Sequence, residues 1–202
     1  VLHILGIGLM FTALRYLPLA DALAIAFVMP FIMLLLGYFV MGEQVGIHRM
    51  AACAVGFIGT LLVIQPNFAE VGFPALYPLG VAVVFSLFMM VTRKIARAMD
   101  PIKLQAISGI QATSILIVLL FVFPDAIGDF SFSLPLTTWG LLAALGLLGT
   151  FAHLFMTWSL RFAPASTVAP MQYLEIPFGT AIGWLIFSDL PNGMAAVGIC
   201  IT

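Results

Sequence analysis

Long stretches without any charged residue alternate with short connections that carry the charges. Residues 22–42, 50–69, 71–92 and 104–124 contain no Asp, Glu, Lys or Arg. Each stretch approaches the about 20 residues that a helix needs to cross about 30 Å of hydrocarbon. The strands of a membrane barrel would instead alternate apolar and polar positions over about ten residues, and the chain lacks this alternation. The pattern predicts an all-α polytopic membrane protein.

Charged residues, Pro and Gly divide the chain into eight apolar segments. Their approximate bounds are 1–17, 20–41, 48–65, 75–93, 103–123, 135–159, 164–187 and 193 to the end. The composition agrees, because 63% of the 202 residues are hydrophobic and 7% are charged, against about 25% charged in soluble domains. The first segment begins with Val1 and the last stops after about ten residues, so we expect a fragment of a longer protein.

Basic residues predict the orientation in the membrane, since Lys and Arg are retained in cytoplasmic loops. If the eight segments all cross, one side receives six of the seven basic residues, namely Arg49, Arg93, Lys94, Arg97, Lys103 and Arg161. The other side receives Arg15. The basic side is therefore predicted to be the cytoplasm, with both ends of the chain there.

An internal repeat relates two parts of the chain at an offset of 146 residues. Ala13-Leu-Arg-Tyr-Leu-Pro-Leu-Ala matches Ser159-Leu-Arg-Phe-Ala-Pro-Ala-Ser, and the same offset pairs Gly37 with Gly183 and Glu43 with Asp189. Five crossings separate the two copies, so they are expected to run in opposite directions. Inverted repeats are typical of secondary transporters.

The same residues resemble the EamA-type permeases of the drug/metabolite transporter superfamily. The resemblance extends over nearly the whole chain. It is carried by Ala13-Leu-Arg-Tyr-x-Pro-Leu-Ala-Asp-Ala, Pro30, Gly42-Glu43, Gly56-Phe-Ile-Gly-Thr-Leu-Leu-Val-Ile, Leu160-Arg-Phe-Ala-Pro-Ala-Ser, Ala169-Pro-Met-Gln-Tyr-Leu-Glu and Gly183-Trp-Leu-Ile-Phe.

The resemblance implies ten helices in two inverted halves of five. Residues 1–65 would be helices three to five, which end the first repeat, and residues 75–202 would be helices six to ten, with the last one truncated. It also implies a permease, not an enzyme, that moves a small organic metabolite by alternating access. Members of this family include exporters of amino acids and importers of riboflavin or S-adenosylmethionine.

Glu175 lies in the middle of an apolar segment, where an ionisable group is costly and is usually kept for transport or proton handling. Gln172 lies one helical turn before it on the same face, and Tyr173 lies beside that face. Pro170 and Pro177 leave nearby carbonyl groups without their usual donors. We expect Glu175 to couple protons or to bind an ammonium group of the substrate; the alternative is a structural anchor bonded to a neighbouring helix.

Thr150, His153 and Thr157 form a polar stripe on the sixth segment, because they follow one another at helical spacing. His153 is a candidate for substrate binding or proton relay, and equally for a hydrogen bond between helices. Gly179 and Gly183 form a GxxxG pattern that predicts close approach of a neighbouring helix.

The sequence does not indicate any metal or cofactor, because Cys53 and Cys200 are isolated and no catalytic or nucleotide-binding motif is present. The expected partners are a small metabolite, protons and membrane lipid, whose headgroups would contact the basic loops, and no nucleic acid. The oligomeric state is left open. Two other readings remain: an intramembrane lipid-modifying enzyme with Glu175 and His153 as acid and base, and a membrane subunit that transports nothing.

Overall fold

The structure, a computed structural model, describes residues 1–67, 71–123, 133–188 and 192–202. The secondary structure in these ranges is helical, which confirms the predicted all-α fold. The helices are α1 (Leu2–Ala13), α2 (Leu19–Ala26), α3 (Met29–Met41), α4 (Ile47–Ile64), α5 (Leu76–Ala96), α6 (Pro101–Val122), α7 (Leu136–Phe162), α8 (Ala165–Met171), α9 (Glu175–Phe187) and α10 (Gly193–Ile201). Two 3-10 turns cover Phe73–Ala75 and Gln172–Leu174.

Each of the eight predicted segments contains a helix, and two of them contain a pair of shorter helices. Segment 20–41 holds α2 and α3, and segment 164–187 holds α8 and α9. In the described part of the chain, five helical stretches are long and apolar enough to cross a membrane: Leu19–Met41, Ile47–Ile64, Phe73–Ala96, Pro101–Val122 and Leu136–Phe162. The chain is therefore an integral, multi-pass membrane protein.

The chain divides into two compact units. The first consists of residues 92–162 together with Val1, and in it α6 packs on α7. Arg93 is buried here, and its Nη1 donates to the carbonyl oxygen of Leu160 at 3.0 Å. This carbonyl needs a donor because the residue four positions on, Pro164, has no N–H. A residue predicted to set topology therefore also stabilises the C-terminal end of a helix.

The second unit consists of residues 2–91 and 163–202. Its most buried side chains, with less than 2% exposed, include Tyr173, Met33, Met89, Thr60 and Cys53. Large apolar side chains also point outwards: Phe39 is 75% exposed and Leu185 is 74% exposed. A soluble protein would not tolerate so apolar a surface, whereas lipid tails favour it.

The helices of this second unit reproduce the sequence repeat without gaps. The helix starts Leu19, Met29 and Ile47 recur 146 residues later at Ala165, Glu175 and Gly193, and the end of α3 at Met41 recurs at Phe187. Both α3 and α9 also end on a residue in the left-handed conformation, Gly42 with φ +64° and Ser188 with φ +57°. The internal repeat is therefore a repeat of structure as well as of sequence.

The equivalent helices α4 and α10 run antiparallel. Gln65, directly after α4, donates from Nε2 to Oδ1 of Asn192, directly before α10, at 3.0 Å. Gly59 lies farther back in α4, and a Cβ there would be 2.9 Å from the carbonyl oxygen of Gly198, far along α10. Moving backwards along one helix thus means moving forwards along the other, as the inverted repeat predicts.

Candidate functional site

Two helix breaks lie at equivalent positions of the repeat. The first is the step from α2 to α3 at Phe27 and Val28, and the second is the 3-10 turn Gln172–Leu174. Proline explains the breaks, because Pro30 in the first turn of α3 and Pro177 in the first turn of α9 cannot donate to the residues of the preceding turn. Broken helices of this kind carry the binding sites of many secondary transporters.

The two breaks touch each other through Tyr173. Its hydroxyl donates to the carbonyl oxygen of Phe27 at 3.0 Å, and the two rings stack with their centroids 6.0 Å apart. This carbonyl has no donor from its own helix, since Pro30 lacks an N–H and the N–H of Phe31 donates to Val28 instead. Tyr173 therefore satisfies a carbonyl group that the first break leaves open.

Gly56 of α4 provides the space for the Tyr173 ring. A Cβ at Gly56 would lie 2.5 Å from Cδ2 and 2.8 Å from Cγ of Tyr173. The ring is only 1% exposed, so it has no room to move aside. The second break is thereby fixed between α4 and the first break.

Glu175 is the first residue of α9, directly after the second break. Its side chain is exposed in the chain. Among the residues that the structure describes, none donates a hydrogen bond to its carboxylate or pairs with it as an ion. Gln172, one turn earlier, is half-buried and places Nε2 3.5 Å from Sδ of Met33. Gln172, Tyr173 and Glu175 therefore lie together at one break, with the carboxylate available.

The other three predicted site residues lie on α7 in the first unit. The hydroxyl of Thr157 is buried and donates to the carbonyl oxygen of His153 at 2.8 Å. The hydroxyl of Thr150 is exposed and donates to the carbonyl oxygen of Gly146 at 2.8 Å. Both threonine hydroxyls therefore donate to a carbonyl group of their own helix, as serine and threonine hydroxyls often do in apolar helices. The His153 ring is half-buried.

Thr150 also lines an open groove of about 660 Å³ between α6 and α7. The described residues around this groove are apolar or carry neutral polar groups, and the polar ones are Gln105, Thr113, Ser114 and Thr150. Gln105 belongs to α6, the helix of the fifth segment. Such a lining suits a neutral polar group attached to an apolar body.

The predicted close approach at Gly179 and Gly183 is wrong for the described part of the chain. A Cβ at either position would meet no heavy atom within 4 Å. The close approaches occur instead at Gly56, and where Gly59 of α4 faces Gly198 of α10. The GxxxG spacing shows that one face of a helix allows close approach, but it does not show whether a neighbouring helix packs there.

Sequence reasoning missed the contact that Glu43 makes in the connection after α3. The carboxylate accepts hydrogen bonds from the backbone N–H groups of Ala165 at 3.0 Å and Ser166 at 2.8 Å. These are the first residues of α8. Beside them, Nη1 of Arg49 donates to Oγ of Ser166 at 2.6 Å and to the carbonyl oxygen of Gln44 at 2.9 Å. The acid that recurs at equivalent positions, Glu43 and Asp189, was the available signal, but it does not reveal the partner.

Comparison with known proteins identifies the family. The pattern of the EamA-like transporter family matches residues 1–65 and 72–202. A riboflavin transporter of Rhizobium johnstonii is 28% identical over 207 residues, which cover 100% of this chain and 65% of that protein. The pseudopaline exporter CntI of Pseudomonas aeruginosa is 26% identical over 189 residues, which cover 93% of this chain and 64% of that protein.

A solved structure entitled only "Crystal structure of protein" has the same fold. Its TM-score is 0.79 at 20% identity, and the alignment covers 98% of this chain and 73% of that one. The chain thus spans 65% and 64% of the length of the two transporters named above. Because the family pattern covers all but a short connection, the chain belongs to the EamA-like transporter family.

Proposed function

We propose that the protein containing this chain is a permease that moves a small organic metabolite across the membrane by alternating access. The observation that carries this proposal is the contact between the two equivalent helix breaks at Phe27 and Tyr173. The Glu175 carboxylate lies beside this contact and has no partner among the described residues. Broken helices that meet at a repeat axis supply backbone groups and side chains for a substrate in a membrane. Catalysis is not part of this proposal.

The proposed binding or coupling residues are those at the second break and on α7. Glu175 exchanges a proton or binds a substrate ammonium group, and Gln172 offers an amide one turn away. Tyr173 holds the break in place. Thr150, His153 and Thr157 are proposed to contribute from α7, where the groove next to Thr150 accepts a neutral polar group.

We propose for this chain the helix repeats and the membrane orientation that its family implies. Residues 1–65 close the first repeat and residues 75–202 form the second, in a bacterial inner membrane with the ends of the chain on the cytoplasmic side. The relatives are named for riboflavin and pseudopaline, two polar organic compounds. We therefore propose a substrate that is organic, polar and of small-metabolite size, with lipid headgroups near the basic loops.

Transport by the full-length protein in proteoliposomes tests this function. The vesicles carry a pH-sensitive dye, an imposed pH gradient and, one at a time, riboflavin, pseudopaline, S-adenosylmethionine, nucleosides and amino acids. We expect flux of one compound class, accompanied by proton movement. Mass spectrometry of the vesicle contents checks that the compound is unchanged, because chemical conversion would indicate an enzyme instead.

Glu175→Gln is expected to lower the substrate flux at least tenfold and to abolish the associated proton movement. The matched control is Asp100→Asn, which makes the same chemical change at the N-cap of α6, where Asn also caps well. If no compound moves in the parent protein, the carrier proposal fails. If Glu175→Gln transports at the parental rate with the same pH dependence, the role of Glu175 fails.

A further inference from the structure

The contact between Glu43 and α8 joins the two repeats. Glu43 follows the end of α3 in the first repeat, and Ala165 and Ser166 open α8 in the second. The first N–H groups of a helix have no acceptor within that helix. The N–H groups of Thr167 and Val168 donate to Pro164, so the two before them depend on an acceptor from outside, which the Glu43 carboxylate provides.

The charges at this contact favour it. A carboxylate is stabilised at the N-terminal end of a helix by the helix dipole, and hydrogen bonds to a charged acceptor are stronger than neutral ones. Arg49 adds a second connection from the start of α4 through the buried hydroxyl of Ser166. Polar contacts of this type depend on geometry, so they are lost when the partners move apart by 1 or 2 Å.

The α4–α10 pair joins the repeats in a different way. Gly59 and Gly198 bring the two backbones together there, so the helices meet along their sides through close packing. Packing of this kind resists separation, because sliding or opening would leave apolar gaps. The second unit therefore contains a close-packed seam at α4–α10 and, at α3–α8, packed helices whose ends are joined by a polar contact.

We propose that Glu43 is a gate latch: it closes the α3–α8 side of the bundle by binding the start of α8, and it releases during the transport cycle while the α4–α10 seam stays closed. This inference rests on the proposed function, since a gate has a purpose only in a carrier. Gly37 and Met33 lie one and two turns before the end of α3, so Met33, which is 2% exposed, lies beneath the latch. Opening the latch should expose it.

A disulfide across the latch tests the proposal. A Cβ at Gly37 would lie 3.7 Å from Cβ of Ser166, within the about 3.5–4.5 Å that disulfides require. The full-length protein carries Gly37→Cys and Ser166→Cys, with the native cysteines replaced, Cys53 and Cys200 among them. Mild oxidation is expected to form the bond and to lower transport at least tenfold, and a reducing agent to restore it. Each single variant serves as a control.

Thiol labelling gives a readout that needs no substrate. In a Met33→Cys protein, Glu43→Ala is expected to increase the labelling rate by a membrane-impermeant maleimide at least fivefold, and Glu43→Gln by less, since the amide retains one acceptor oxygen. Gln65→Asn is the control, because it breaks the hydrogen bond to Asn192 at the seam while Asn tolerates the left-handed conformation of that position.

The outcomes separate the two proposals. If the oxidised, cross-linked protein transports at the full rate, the contact is static and the latch proposal is overturned. An unchanged rate of maleimide labelling in both Glu43 variants would overturn it as well. If the parent protein transports none of the compounds, the proposed function fails, and labelling alone decides whether Glu43 holds this side closed. Faster labelling in Gln65→Asn as well as in the Glu43 variants would indicate general loosening and would also overturn the latch.

Discussion

Tyr173 donates its hydroxyl hydrogen to the carbonyl oxygen of Phe27, the residue that occupies the same position in the other repeat, 146 residues earlier. Two equivalent residues of a twofold repeat can touch only where the axis of the repeat passes. The hydrogen bond therefore marks the axis, and it lies where both helices are broken. Two residues farther along each helix, Met29 and Glu175 are equivalent as well. Of these two residues Glu175 is acidic and Met29 is apolar, so the two repeats carry different chemical groups beside the axis.

Tyr173→Phe should destabilise the protein, because it leaves the Phe27 carbonyl without a donor in apolar surroundings. An unsatisfied buried polar group costs about 1–3 kcal/mol. For a chain of this size we expect the midpoint of thermal unfolding in detergent to fall by about 2–10 °C. Tyr38→Phe is the matched control, since Tyr38 is 56% exposed. An equal effect of the two changes would mean that the hydrogen bond contributes nothing.

Gly56→Ala should also destabilise the protein, and at least half of the loss should depend on the presence of the Tyr173 ring. The new methyl group would overlap the ring, and overpacking costs about 1–3 kcal/mol. In a Tyr173→Leu background the ring is gone, so the additional cost of Gly56→Ala should fall by at least half. The measurement is a double-mutant cycle of unfolding midpoints. Additive effects of the two changes would contradict the contact.

The order of the helices and their inversion could be predicted from the sequence, whereas segments 20–41 and 164–187 were each expected to form one helix. Charge-free stretches define membrane helices because a bilayer excludes charge. Pro170 and Pro177 indicated carbonyl groups without their usual donors, because proline lacks a backbone N–H, but they did not predict that the helix is interrupted between them. The repeat at 146 residues was visible because Arg, Pro, Gly and acidic residues all match at one constant offset. Each of these signals is local or comes from comparing the chain with itself.

The contacts between the repeats could not be predicted in this way. The distance from Glu43 to Ser166 along the chain is 123 residues, and no spacing rule connects an acid after one helix to the start of another. Gly179 and Gly183 had the spacing of a contact but lack one among the described residues, whereas Gly56 and Gly198 have contacts. A sequence shows which faces allow close approach, and only tertiary packing decides which faces are used.

Gly198→Ala should weaken the α4–α10 seam. A Cβ there would lie 2.6 Å from the carbonyl oxygen of Gly59, 2.8 Å from Cγ2 of Val63 and 2.9 Å from Cβ of Leu62. Two of these three atoms belong to or directly join the backbone, so the helices must separate. The expected loss is about 1–3 kcal/mol, seen as a lower unfolding midpoint.

Gly183→Ala is the control for this seam, since a Cβ at Gly183 meets open space. Alanine is about 1 kcal/mol better than glycine inside a helix, so the unfolding midpoint should stay the same or rise. A loss for Gly183→Ala as large as that for Gly198→Ala would mean that the cost comes from glycine replacement in general, and the seam would not be as close as described.

Arg93→Met should destabilise the first unit, because Arg93 stabilises the C-terminal end of α7. The sequence alone predicted for this residue only an effect of its charge on membrane orientation. The change keeps a long apolar stem but removes the donor to the Leu160 carbonyl, whose usual helical donor is absent because Pro164 lacks an N–H. We expect a loss of about 1–3 kcal/mol in the free energy of unfolding. Arg97→Met is the control. It removes one positive charge from the same end of α5, so its effect on topology should be the same, but the Arg97 side chain is exposed. The difference between the two unfolding midpoints therefore isolates the hydrogen bond, and equal midpoints would leave Arg93 with a topological role alone.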